Sequence, residues 1–288
     1  MNPFCRHIIF DGVPRKCITK DAILALVQED KKRVCFAHYQ QQALKRNEID
    51  ARVGVFKIPF SNTIYPLFRR VTGLDLFPSR YGDGYYRYVE SEGEYVAIKK
   101  FIDEYQELVF LRDNLDLSLA MGMHCVYEVG RTQLGDLEYQ AKYNGDEKAV
   151  CELSEMCDNL LSSLPFYTNA DMVVAMPSTR DLPEKIVSRL TKFEGEKVVK
   201  GLCWGAEKNE LKNITDNAQK VEVLEAAGLN IDIDVKDKVV VLLDDMYKTG
   251  TTMQYVAMKL KEVGANRVLG FSIVKSLSDK TKDDEAGA

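Results

Sequence analysis

Asp244 and Asp245 stand at the end of an aliphatic run, Val239 to Leu243, and Met246, Tyr247 and Lys248 separate them from Thr249, Gly250, Thr251 and Thr252. Thr249 to Thr252 offer backbone N–H groups, a glycine that allows close approach and three hydroxyls where a helix begins, which suits a phosphate monoester. Two carboxylates at a strand end can accept hydrogen bonds from vicinal hydroxyls, or hold a divalent metal through its waters. A phosphate at one end and a diol at the other describe a ribose 5-phosphate. The plainer alternative is a capped helix that follows an acidic turn.

The elements around this string are those of an α/β protein. Val239 to Leu243 reads as a parallel strand covered on both faces. Apolar residues at 253, 256, 257, 260 and 263 mark one face of a helix, Gly264 ends it, and Arg267 to Val274 form the next strand, which completes a βαβ unit. Upstream, an amphipathic helix over 152–161 leads to a strand over 171–176 that breaks at Pro177. Strand formers at 117–128 and 137–143, separated by Gly130, Gly135 and Asp136, predict a hairpin. The charged, Asn-rich stretch 201–219 reads as a mobile loop with short helices. Residues 276–288 read as a disordered tail.

The chain has 288 residues, which suggests roughly two domains. The expected boundary places an amino-terminal domain over 1–115 and an α/β domain over 116–275. Helices are expected at 21–28, 41–45 and 96–110 in the first part. Composition is that of a globular chain, with 45% hydrophobic and 29% charged residues. No apolar run approaches the roughly 20 residues that cross a bilayer. The amino terminus, with Cys5, Arg6, His7 and Asp11, lacks the blocks of a signal peptide, so a cytoplasmic location is expected. Seven scattered cysteines fit free thiols better than a disulfide framework. The net charge of −5 is uneven: residues 1–90 hold 15 Lys and Arg against 9 Asp and Glu, so the front end is basic.

The aliphatic run, acidic pair and Thr-Gly-Thr-Thr loop together resemble the phosphoribosyl pyrophosphate (PRPP) motif of type I phosphoribosyltransferases. Gly135 to Asp146, with Lys142 and Tyr143, resembles the lysine segment of the ComF-like branch, and Met172 to Pro177 resembles its pyrophosphate-loop strand. The resemblance spans about residues 117–275 and implies a parallel sheet flanked by helices, preceded here by a smaller mixed α+β domain. Two positions depart from the family pattern. The Arg-Gly-Phe-Asn-Gln string is absent after the loop, Arg180 being followed by Asp181, Leu182 and Pro183, and Lys248 stands where threonine is usual.

The resemblance implies magnesium-assisted transfer, or hydrolysis, of a phosphoribosyl group with PRPP as substrate and a nucleobase-type acceptor. Asp244 and Asp245 would hold the ribose hydroxyls and the metal, Lys248 to Thr252 would cradle the 5-phosphate, and Ala175, Met176, Pro177, Ser178, Thr179 and Arg180 would face the pyrophosphate. Lys208 or Lys212 could close over the site. The alternative is a regulatory protein that keeps the fold as a nucleotide sensor and acts through its front end on nucleic acid or a protein partner, as in DNA-uptake or bacterial defence systems.

Cys5, His7, Cys17, Cys35 and His38 are zinc-ligand types, but only Cys35 and His38 have the spacing of a ligand pair, which argues against zinc. Tyr65, Phe68, Phe77, Tyr81, Tyr85, Tyr86 and Tyr88 interleave with Arg69, Arg70, Arg80 and Arg87. Residues 56–89 therefore read first as a core or an interface with a partner or second copy, next as a hood over the acceptor base, and last as a nucleic-acid surface.

Overall fold

The computed structural model describes residues 10, 13–29, 31–37, 43–46, 53–61, 63–80, 84–178, 180–206, 214 and 216–277. In chain order the elements are α1 (Lys20–Gln28), β1 (Val34–Phe36), β2 (Leu44–Arg46), β3 (Gly54–Ile58), α2 (Ile64–Thr72), β4 (Phe77–Pro78), β5 (Tyr85–Val89), α3 (Glu92–Tyr105) and β6 (Val109–Leu111). Then come β7 (Leu117–Met123), β8 (Cys125–Val126), β9 (Gly130–Arg131), α4 (Gln133–Tyr139) running into a π-helical turn (Gln140–Asn144), α5 (Glu147–Ser163), β10 (Met172–Ala175), α6 (Leu182–Arg189), β11 (Glu196–Val198) and β12 (Leu202–Trp204). The chain ends with α7 (Asn217–Ala227), β13 (Leu229–Ile231), β14 (Val239–Tyr247), α8 (Thr251–Glu262) and β15 (Arg267–Lys275).

Two compact units result, one containing residues 31–112 and the other residues 15–30 with everything from 113 onward. In the larger unit β7, β15, β14, β10 and β11 lie side by side, each pair parallel. Parallel strands need helical crossovers, and α8 provides the one between β14 and β15. Val240, Val241, Leu242, Leu243, Val268, Leu269 and Phe271 are wholly buried, as a strand covered on both faces requires. The fold class is α/β, as expected.

The smaller unit carries the antiparallel order β2-β3-β5-β4, and within it β1 also pairs with β6, again antiparallel. Its core is aromatic: Phe68 stacks on Phe56 at 5.0 Å and meets Phe101 edge-on at 5.2 Å. Ser91 opens α3 by accepting from Glu94 N, and the Glu94 carboxylate accepts from Glu90 N, one residue before the cap.

Several local expectations are corrected. Residues 44–46 are a strand, not the end of a helix over 41–45, because their backbone pairs with β3. The third helix covers Glu92–Tyr105, starting at the Ser91 cap, and residues 109–111 pair with β1 instead of extending it. The hairpin predicted from 117–128 with 137–143 does not form. Residues 117–123 join the parallel sheet, a tight hairpin uses only 125–131, and residues 133–144 are helical. Thr132 decides the last point: its hydroxyl caps Gly135 N and donates to Met123 O, which pins the helix start to the end of β7. Within 201–219, residues 202–204 form a strand with β13 and α7 starts at Asn217. The tail expected over 276–288 lies, from residue 278, outside the described residues.

Candidate functional site

Parallel strands present all their carboxyl ends on one edge, and that edge gathers the residues with chemistry. The end of β14 brings Asp244 and Asp245, the loop after β10 brings Pro177, Ser178 and Arg180, and the end of β7 leads into His124 and the α4 segment. Backbone bonds tie these ends together: Met176 N donates to Leu243 O and His124 N donates to Lys275 O, each at 2.8 Å.

Asp245 is buried and Asp244 half-buried. Lys142 Nζ lies 2.9 Å from Asp245 Oδ2 and 3.3 Å from Glu138 Oε1. Glu138 is fully buried. Burial alone would lower the Lys142 ammonium, but Asp245 and Glu138 outweigh it and hold it above its ordinary value. Burial pushes the Glu138 carboxyl up, against the pull of Lys142. His124 Nε2 is 3.6 Å from Glu138 Oε2. Burial, with Arg131 and Lys142 nearby, keeps its imidazole below the usual range, so it is neutral at pH 7.

The π-helical turn that carries Lys142 is held from both sides. Tyr143 stacks on Tyr139 at 4.9 Å, and the Arg131 guanidinium lies 4.1 Å over Tyr139. Arg180 stands 4.4 Å over Tyr143 and donates to Lys142 O at 3.3 Å. The loop after β10 is thus bound to the Lys142 turn through the one cation that the sequence offered there. Ala175 and Met176 are buried at the strand end, Pro177 and Ser178 are half-buried, and Thr179 lies outside the described residues.

Gly250 has φ +74° and opens α8. An added Cβ would collide with the Tyr247 ring, and Tyr247 donates its hydroxyl to Asp113 Oδ2 at 3.1 Å. Glycine is therefore required by the fold itself. Thr249 and Thr251 are buried with their hydroxyls 3.0 Å apart, whereas Thr252 is half-buried. Lys248 is half-buried and close enough to Lys220 of α7 to add to the effect of burial in lowering the Lys220 ammonium. Lys208 and Lys212 lie outside the described residues.

Sequence reasoning marked Lys142 only as part of a family-like segment and gave no role to Glu138, Tyr247, Asp113, Lys220 or Trp204. Glu138 and Lys142 at i, i+4 on a helix are a readable ion-pair signal, hidden by the hairpin assignment. Trp204, the sole tryptophan, donates Nε1 to Pro177 O at 3.2 Å and lies alongside Tyr255 at 6.3 Å. Nothing in the local sequence announces that contact.

Magnesium is what the resemblance implies at Asp244 and Asp245. Asp245 fits it poorly, because one of its carboxylate oxygens, Oδ2, already lies in ion-pair range of an ammonium whose charge opposes a dication there. Among the described residues no group of three or more His, Cys, Asp or Glu side chains could hold a metal ion. For the zinc candidates, Cys35 is buried in β1 and Cys17 is exposed, while Cys5, His7 and His38 lie outside the described residues.

The matching family spans α7, the strand with the acidic pair, the Thr-Gly-Thr-Thr loop and α8. Residues 206–286 match the phosphoribosyl transferase domain. No curated protein matches the chain significantly. Among solved structures, a hypoxanthine phosphoribosyltransferase from Staphylococcus aureus is 13% identical over 45% of this chain and 75% of its own, with a TM-score of 0.29. A hypoxanthine-guanine phosphoribosyltransferase from Bacillus anthracis is 11% identical over 52% of this chain and 74% of its own, with a TM-score of 0.30. Among the described residues no helix is long and apolar enough to cross a membrane.

The aromatic stretch divides by face. Phe56 and Phe68 are core, and Arg69 and Arg87 pair with Asp75 and Glu94. Lys57, Tyr86 and Tyr88 lie on the other sheet face, where an open concavity is lined by Val55, Arg80 and Tyr85 as well. Tyr81 is outside the described residues.

Proposed function

We propose that the chain binds a phosphorylated ribose, PRPP in the first instance, at the carboxyl ends of β10 and β14 and transfers or hydrolyses its phosphoribosyl group. The observation that carries this reading is the placement of Asp244 and Asp245 near the end of β14, with three residues between them and the Thr249–Thr252 loop that opens α8, inside the segment that matches the phosphoribosyl transferase domain. Thr249 to Thr252 receive the 5-phosphate through N–H groups and hydroxyls at the α8 amino end. Asp244 and Asp245 accept from the ribose hydroxyls. Arg180 faces the pyrophosphate.

In the transfer step the bond from the anomeric carbon to pyrophosphate oxygen breaks, its electron pair leaving with pyrophosphate, and the sugar passes through oxocarbenium character. A nitrogen lone pair of a nucleobase-type acceptor, or a water oxygen, then forms the new bond and releases a proton. The protein's task is to hold the two ends of the ribose and to stabilise the departing charge. The string around Lys142 resembles that of the ComF-like branch, which supports a reading within it.

A regulatory sensor is the second reading, favoured by one observation. The loop after β10 offers the leaving group a single guanidinium, Arg180, and that side chain is already stacked on Tyr143.

The test is a titration of the full chain with PRPP, ribose 5-phosphate and nucleoside 5′-monophosphates, followed through Trp204 fluorescence and calorimetry, then a pyrophosphate-release assay. Binding with turnover supports the enzyme, and binding without turnover supports the sensor. Failure of every phosphorylated ribose to bind would overturn both.

A further inference from the structure

We propose that Lys142 supplies the positive charge at Asp245 that a divalent cation would otherwise bring, so that the phosphorylated ribose is taken up without a metal. The inference rests on the reading that this ligand binds at Asp244 to Thr252.

Three features carry it. The first is geometry: Lys142 Nζ lies 2.9 Å from Asp245 Oδ2 and 3.3 Å from Glu138 Oε1, within direct ion-pair range of both. Magnesium sits about 2.0–2.1 Å from a carboxylate oxygen and keeps an octahedral shell of oxygens, and an ammonium on the same oxygen competes for its lone pairs and repels the ion. The second is burial. The side chains of Lys142, Asp245 and Glu138 are 13%, 7% and 0% exposed, so little solvent separates the charges and neither carboxylate can rotate out to water cheaply.

The third is that the lysine is held in place. It stands on a π-helical turn, a feature concentrated at functional sites, closed by Gly145 in the left-handed region. Arg180 and Arg131 brace the turn through Tyr143 and Tyr139. An ammonium has three N–H donors, so one that stands within ion-pair range of two carboxylates can still give a donor to an oxygen of the ligand. Lys142 is thus a positioning and charge-balancing group for Asp245 and a direct donor to a ribose or pyrophosphate oxygen.

The test uses the full chain with Lys142→Met, which keeps the length and apolar stem, Lys142→Arg, which keeps the charge, and Asp245→Asn. Manganese is titrated into the ligand-free protein and read by electron paramagnetic resonance, a measurement that needs no ribose. Lys142→Met is expected to bind manganese at least about tenfold more tightly than the wild type, and Lys142→Met with Asp245→Asn to lose the gain, while Lys142→Arg stays like the wild type. Ribose 5-phosphate affinity of the wild type is expected to agree within about twofold between excess magnesium and chelator, and that of Lys142→Met to become metal-dependent.

No gain of manganese binding in Lys142→Met, or a wild-type manganese site that Asp245→Asn removes, overturns the proposal. Should Lys142→Met fail to fold, Lys142→Gln carries the same comparison, since it removes the charge and retains a donor. If no variant binds a phosphorylated ribose, the function reading falls, and the manganese arm still decides whether Lys142 occupies the metal's place.

Discussion

The ring of Tyr247 fills the space that a side chain at Gly250 would need, while its hydroxyl is anchored on buried Asp113. Gly250 is thus fixed twice over, by its left-handed backbone and by a neighbour three residues back.

Gly250→Ala is expected to cost stability before any ligand is considered. The left-handed conformation alone costs a non-glycine residue about 1–2 kcal/mol, and displacing Tyr247 adds to it. A clear fall in melting temperature, measured without ligand, is the expected outcome; an unchanged one would mean that Tyr247 yields freely.

Thr252→Ala separates phosphate binding from capping. Thr252 is half-buried, and Gly250 is the residue at the cap position, so losing the hydroxyl should change stability by less than about 0.5 kcal/mol. Ribose 5-phosphate binding should weaken by about 1 kcal/mol, roughly fivefold. Calorimetry and thermal melts on the same sample check both numbers.

The acidic pair is tested by Asp244→Asn with Asp245→Asn. On the proposed reading, in which this pair holds the ribose hydroxyls, removing its charge should weaken PRPP by more than about tenfold, or about 1.4 kcal/mol. Unchanged affinity in a folded double variant would remove the assignment of this site.

Asp158 gives a pH prediction away from the site. It is buried on α5 and accepts from Thr191 N at 2.7 Å, Thr191 Oγ1 at 2.9 Å, Lys192 N at 2.9 Å and Phe193 N at 3.1 Å. Burial opposes its ionisation, but these donors together hold the carboxyl below its ordinary range. A carboxyl depressed in the fold contributes stability above its unfolded value, near about 3.9, and loses it as pH falls through the lower folded value. Asp158→Asn should cost about 2 kcal/mol at neutral pH, and the gap to wild type should narrow below about pH 4. Denaturant melts across that window measure it.

In the smaller unit, Phe68→Ala should cost about 3–5 kcal/mol, since the ring is fully buried between Phe56 and Phe101. Tyr88→Ala on the open face should cost less than about 1 kcal/mol, the scale of its edge-on contact with Tyr86. Equal costs would show that the outer face is covered.

The larger unit was readable where local pattern and tertiary environment agree. Val239 to Leu243 is aliphatic because both faces of β14 are covered, and the 253, 256, 257, 260 spacing marks the α8 stripe that packs against the sheet, so each reports its surroundings directly. The acidic pair and the threonine loop were legible for the same reason: they lie next to one another in sequence. The smaller unit was not, because its strands run to five residues at most and their pairing is long-range, so Leu44 to Arg46 take their conformation from β3 and not from their own propensities. Gly130, Gly135 and Asp136 promised a turn between two strands, yet Gly135 is small so that α4 can approach the His124 carbonyl, and Thr132 bonded to Met123 makes the segment a helix. That outcome places Lys142 against Asp245. No local pattern encodes such a pair, since an ion pair between distant segments depends on where the sheet and the helix set their ends, and only the assembled fold decides that.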